Sequence, residues 1–164
     1  MDLFPTARAG LEMDIRHPNA PYIVKTPFLC DLLEEVLASS IRIEYAIIPV
    51  RSFDAAAASR AYVQEQTTGS ANRTRKVPGG LWDAEKASEQ ADVLRLKFAR
   101  LIEVLTRSDI PMTFLMYPRL VRDSDYLYAK LDCLLGNVDR GTFRMAFDKI
   151  LRPDWVHSFT ERDR

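Results

Sequence analysis

Residues 41–50 read IRIEYAIIPV, alternating at first and then continuously apolar, which is the pattern of a β-strand covered on both faces. A strand with one wet face keeps alternating, so this run predicts a parallel sheet under packed helices. A second short apolar run, residues 112–117 (MTFLMY), has the same character. Residues 51–111 lie between the two runs and read as helices and loop, the long crossover that parallel neighbours require. Tyr22, Ile23 and Val24 form a third β-rich run, ended by Pro27, and read as the first strand.

The helices follow from caps and periodicity. Asp31 stands where a cap belongs, ahead of Leu32, Leu33, Val36 and Leu37; Asp54 can cap a helix through AAAASRAYVQEQ. Residues 82–107 predict a long amphipathic helix with Ala87, Ala91, Leu94, Phe98, Leu101, Ile102 and Leu105 on one stripe. Asp123 or Ser124 starts a further helix closed by Gly136, and Asp139 introduces a last one carrying Phe143, Phe147, Ile150 and Leu151. Residues 67–80 are rich in Gly, Ser, Thr and basic side chains and read as a loop polar enough to be a mobile lid. The expected architecture is one α/β domain of three layers with a mostly parallel sheet, over residues 21–155, between an irregular arm at 1–20 and a tail at 156–164.

Charge narrows the partners. Lys plus Arg and Asp plus Glu number 23 each, so there is no global field to attract nucleic acid or an anionic membrane, and any anion site must be local. No signal-peptide or membrane-length apolar run occurs, which predicts a cytoplasmic chain. Cys30 and Cys133 match no metal or redox spacing, and with two His residues they predict no metal site; both cysteines read as buried apolar side chains.

Open parallel sheets bind ligands at the carboxyl ends of their strands. The exits here carry Lys25-Thr26, Arg51-Ser52 and Tyr117-Pro118-Arg119. Lys25, Arg51 and Arg119 gathered at one edge would suit a phosphate or sulfate group, since Arg offers a planar fork and Lys a compact charge. Against this stand the plain alternatives of a solvated Lys25, a solvated Arg51 with Ser59 as a small packing residue, and Tyr117 as core.

The order PYIVKTPF, then a helix, then IIPVRSFDAAAAS, and later TFLMYPRLVRDSDYLYAKL resembles the sulfotransferases that use 3′-phosphoadenylyl sulfate. In that family one strand ends in Lys-Thr-His, a later one in an Arg followed eight positions on by a Ser, and a third in a Tyr turn. Lys25-Thr26 is similar to the first, Arg51 and Ser59 to the second, and Tyr117 to the third, over roughly residues 21–151. The resemblance implies a P-loop fold, with Arg51 and Ser59 on the 3′-phosphate, Lys25 near the transferred sulfuryl group and Tyr117 near the adenine. It implies sulfuryl transfer to a small hydroxyl acceptor, with 3′-phosphoadenylyl sulfate as co-substrate and no metal.

Four departures set limits. Pro27 replaces the family's His, which serves there as general base. Phe53 and Asp54 depart from the usual residues of the Arg-to-Ser motif, and Pro118-Arg119 replace an acidic pair. The family places a strand, a phosphate-cradling loop and a helix ahead of its Lys-Thr strand, a unit of about 30 residues. Only 21 residues precede Tyr22, none forms such a loop, and GSANRTRK at 69–76 follows a helix. The expectation is therefore of a chain whose true start lies upstream or of a remnant without the phosphosulfate site. The alternatives are a non-catalytic nucleotide-binding or protein-interaction domain of the same fold, able to dimerise through an open sheet edge, and a small-molecule kinase relative.

Overall fold

The computed structural model describes residues 13–152. The first twelve residues of the expected arm, the end of the expected domain and the 156–164 tail with His157 lie outside the described residues. Elements run α1 (Leu29–Leu37), β1 (Ala46–Val50), α2 (Phe53–Thr68), α3 (Gln90–Arg107), β2 (Met112–Met116), α4 (Ser124–Lys130), α5 (Asp132–Leu135) and α6 (Arg140–Ile150), with 3₁₀ turns at Ala87–Glu89 and Arg119–Val121. The fold is mixed α/β, with a parallel two-stranded sheet among the described residues.

β1 and β2 pair from Ala46 with Met112 to Val50 with Met116. Residues paired in a parallel ladder point to the same face. Ala46, Ile48 and Met112 therefore face one way, and there α1 and α3 bring Leu33, Val104 and Leu105 against them. Leu33 and Leu105 are at most 1% exposed, so the centre of the core is the seam between this sheet face and the two helices.

The expected Tyr22–Val24 strand does not form. Tyr22 and Ile23 are 83% and 71% exposed, and among the described residues of this stretch only Lys25 is a bridge residue, its carbonyl accepting from Met13 N–H. β1 supplies a physical reason. Ala46 N–H donates to Pro111 and the Val50 carbonyl accepts from Tyr117 N–H, so residues 46, 48 and 50 bond toward β2. Pro49 then directs its donor-less nitrogen to the outer edge, where a third ladder beside β1 would need an N–H. The outer edge of β2 is interrupted too, since the Tyr126 hydroxyl accepts from Met116 N–H at 2.8 Å. A homodimer through an open sheet edge would have to pair around these two positions.

Helix starts depart from expectation by a few residues, for local reasons. Ser52, not Asp54, caps α2 by accepting from Ala55 N–H, while Gly69 closes the helix at φ 73°. α1 begins two residues before Asp31, which falls in its first turn. The long helix starts at Gln90 and not at 82: Asp83 sits at φ 52°, incompatible with helix, and a separate 3₁₀ turn intervenes. Asp123 and Asp139 cap α4 and α6 as their positions predict, accepting from Tyr126 and Thr142 N–H.

The 67–80 loop is not a loose lid. Two wholly buried glutamines hold it and the residues after it. Gln64 on α2 donates to the Arg75 carbonyl at 3.2 Å and accepts from Leu81 N–H at 3.3 Å. Gln90 on α3 accepts from Trp82 N–H at 2.6 Å and donates back to the Trp82 carbonyl at 3.2 Å. Val77, Leu81 and Ala84 are buried beneath the segment. Cys133 is exposed, against the expectation of two buried cysteines, because α5 is one short turn with no buried residue.

Candidate functional site

The carboxyl edge of the sheet places Arg51 and Tyr117 side by side. Each follows its strand by one residue, and the Tyr117 N–H donated to Val50 extends the ladder to the exit itself. The Arg51 guanidinium carbon lies 4.9 Å from the centroid of the Tyr117 ring, both side chains are half-buried, and Arg51 Nε is enclosed. Ser52 then caps α2, so this cation stands at the start of a helix whose N-terminal end favours anions. A guanidinium held against a ring keeps its fork oriented at small entropic cost.

The other expected ligands are not gathered there. Arg119 turns along its own turn, donating from Nε to Asp123 at 3.0 Å and lying 4.3 Å over the Tyr126 ring, so its charge is neutralised locally. Lys25 is exposed on an irregular segment and not at the end of a strand of the sheet. Ser59 is half-buried on α2, six residues beyond its first, which is about 9 Å along the axis. Asp54 is paired with Arg95 at 2.7 Å. What the strand exits bring together is thus Arg51 with Tyr117, fewer residues than the three exits predict.

A second cluster surrounds Trp82. Phe28 meets its ring edge-on at 5.6 Å, and Arg60 and Lys97 lie 5.1 and 4.5 Å from its centroid. Burial pulls the Lys97 ammonium down, but its bonds to Asp31 at 2.6 Å and Asp83 at 2.8 Å outweigh this and leave its pKa raised. Lys97 in turn holds the Asp83 carboxyl below its ordinary value. Arg60 donates to the Gly80 carbonyl at 2.9 Å, and desolvation lowers its pKa. Burial pushes the Cys30 thiol up to about 11, which makes it a poor nucleophile. No motif marks Arg60 or Lys97, since a basic residue on a helix ordinarily reads as solvated surface.

Two open clefts occur elsewhere. One, of about 570 Å³, is lined by Asn72, Arg73, Thr74, Arg75, Glu85 and Lys86. The other, of about 680 Å³, lies at the amino ends of the strands, between residues 37–44 and 108–111. Neither is lined by Arg51 or Tyr117. Among the described residues no group of three or more His, Cys, Asp or Glu stands together to hold a metal, and no helix is long and apolar enough to cross a membrane.

Fold and contact together define a mixed α/β protein with a cation and an aromatic ring at the carboxyl edge of a parallel strand pair. No family model, no curated protein and no solved structure matches the chain.

Proposed function

We propose that the chain is a sulfotransferase-like domain of the P-loop fold whose carboxyl-edge crevice binds the 3′-phosphate of a nucleotide of the 3′-phosphoadenylyl sulfate kind. The observation that carries this reading is the contact of Arg51 with Tyr117 across adjacent parallel strand ends, beside the capped start of α2. A phosphate arriving there meets a forked donor and a positive helix end, and the tyrosine ring offers an apolar face to a base. Ser59 would reach a ligand only if that ligand extends along α2, and Lys25 only from the irregular segment before α1.

Binding is the part of the family's chemistry that these residues support. Sulfuryl transfer, like phosphoryl transfer, depends on charge neutralisation and in-line positioning around the moving group. The sequence holds no GxxxxGK run followed by Ser or Thr, and Pro27 follows Lys25-Thr26 where the general base would stand. Transfer to a hydroxyl acceptor therefore needs groups beyond those in the Arg51 crevice.

Calorimetry tests the reading. Adenosine 3′,5′-bisphosphate is expected to bind more tightly than ATP, and Arg51→Ala to weaken the bisphosphate by roughly 10- to 100-fold, the worth of a charge-assisted hydrogen bond. Equal heats for the two nucleotides, or an unchanged affinity in the variant, would sink it. Such a result would favour the protein-interaction reading, to which the partly exposed Phe114 and Met116 on the sheet lend support.

A further inference from the structure

The segment joining α2 to α3 carries charge that the Arg51 crevice does not use. Its two limbs are tied together, with Arg73 N–H donating to the Glu85 carbonyl at 2.7 Å. Gln64 fixes the Arg75 carbonyl, the Arg75 guanidinium donates to the Thr67 carbonyl at 3.1 Å, and Gln90 clamps Trp82 from the other side. The cleft of about 570 Å³ between the limbs is lined by Arg73, Arg75 and Lys86, with Asn72 and Thr74 as neutral donors and Glu85 as the lone carboxylate.

Three cations against one carboxylate leave the lining at a formal +2. Two further acids lie close by: the Glu89 carboxylate accepts from the Glu85 and Lys86 N–H groups at 3.3 and 3.2 Å, and Asp83 is engaged by Lys97 at 2.8 Å, with the charges of Arg73 and Lys76 also helping to hold its pKa down. Among the described residues none of Arg73, Arg75 and Lys86 forms a salt bridge, although all three face one space. The backbone that carries these cations is tied by the buried glutamines, so an anion entering the space would meet donors that the segment already gathers.

We infer that this cleft binds a phosphate monoester. At neutral pH such a group carries close to two negative charges and three acceptor oxygens, which matches two guanidinium forks, one ammonium and the flanking hydroxyl and amide. The inference is independent of the nucleotide reading, because the two sites share no residue.

The test is calorimetry at constant ionic strength with phenyl phosphate, inorganic phosphate and phenyl sulfate as probes. Phenyl phosphate should bind saturably and strengthen between pH 5.5 and 7.5 as it gains its second charge at about pH 6. Phenyl sulfate, a monoanion throughout, should bind more weakly and show no such rise. Comparison with inorganic phosphate separates an ester ligand from the free ion. The double variant Arg73→Gln with Lys86→Gln should weaken phenyl phosphate about tenfold or more; the single variant Lys86→Glu, a change on an exposed side chain, should weaken it in the same direction. Arg51→Ala should leave it unchanged. Equal binding of sulfate and phosphate esters, retained affinity in Lys86→Glu, or loss in Arg51→Ala would each overturn the assignment.

Discussion

Gln64 and Gln90 are both 0% exposed, yet each amide is satisfied at both ends by backbone of the segment that follows α2. Gly80 belongs to the same contact, since a Cβ there would lie 2.4 Å from Gln64 Oε1 and 2.9 Å from the Val77 Cβ. Gly80→Ala should therefore destabilise by about 1–3 kcal/mol in urea unfolding, through overpacking and the displaced amide. In a Gln64→Ala background the same change should cost less, because the clashing oxygen is gone; full additivity in the double-mutant cycle would contradict the contact. None of this is legible in sequence. A glutamine within QEQTT reads as the wet face of a helix, and only the returning segment makes it core.

α1 and α3 are joined by apolar packing and by a row of ion pairs along their seam. Asp31 meets Lys97, and Glu34 accepts from Arg100 at 2.7 Å and from Arg107, which holds its carboxyl below the ordinary range. Pairs as exposed as those of Glu34 contribute little. Lys97 is different, at 15% side-chain exposure, with two carboxylates and the Trp82 ring around it. Lys97→Met keeps the packing and removes the charge, so it should cost about 1–2 kcal/mol at pH 7. Because the folded-state pKa of Lys97 is raised, that contribution is fully present below the ordinary lysine value and is lost as pH rises through the folded one. A denaturation series showing the same deficit at neutral pH and well above that range would refute the assignment. At this scale β1, β2, α2 and α6 follow from local pattern, whereas the start of α3 does not, because the Gln90 clamp on Trp82 holds the preceding residues out of helical conformation.

Across the molecule, burial is uneven. The sheet face, α1 and α3 share the core around Leu33, Val104 and Leu105. Within α4, α5 and α6, Phe147 is the sole buried residue, while Met145 and Ile150 are 69% and 73% exposed. Local opening follows buried apolar contact, so amides of α4 and α6 should exchange at least about 100-fold faster than those of β1 and α3 in native-state hydrogen exchange. Equal protection in both regions would mean that the α4–α6 segment opens only with the whole fold.

From sequence alone come the two strands, their parallel sense, the caps at Asp123 and Asp139 and the location of Arg51 at a strand exit, because these depend on side-chain period and on groups a few residues apart. Tertiary structure alone decided that Tyr22–Val24 stays outside the sheet, that Arg119 turns to Asp123 while Arg51 meets Tyr117, and that a polar loop is pinned in place. The division is physical. Which way Pro49 points its missing donor, and which buried amide a distant carbonyl finds, depend on pairing and desolvation between residues far apart in the chain.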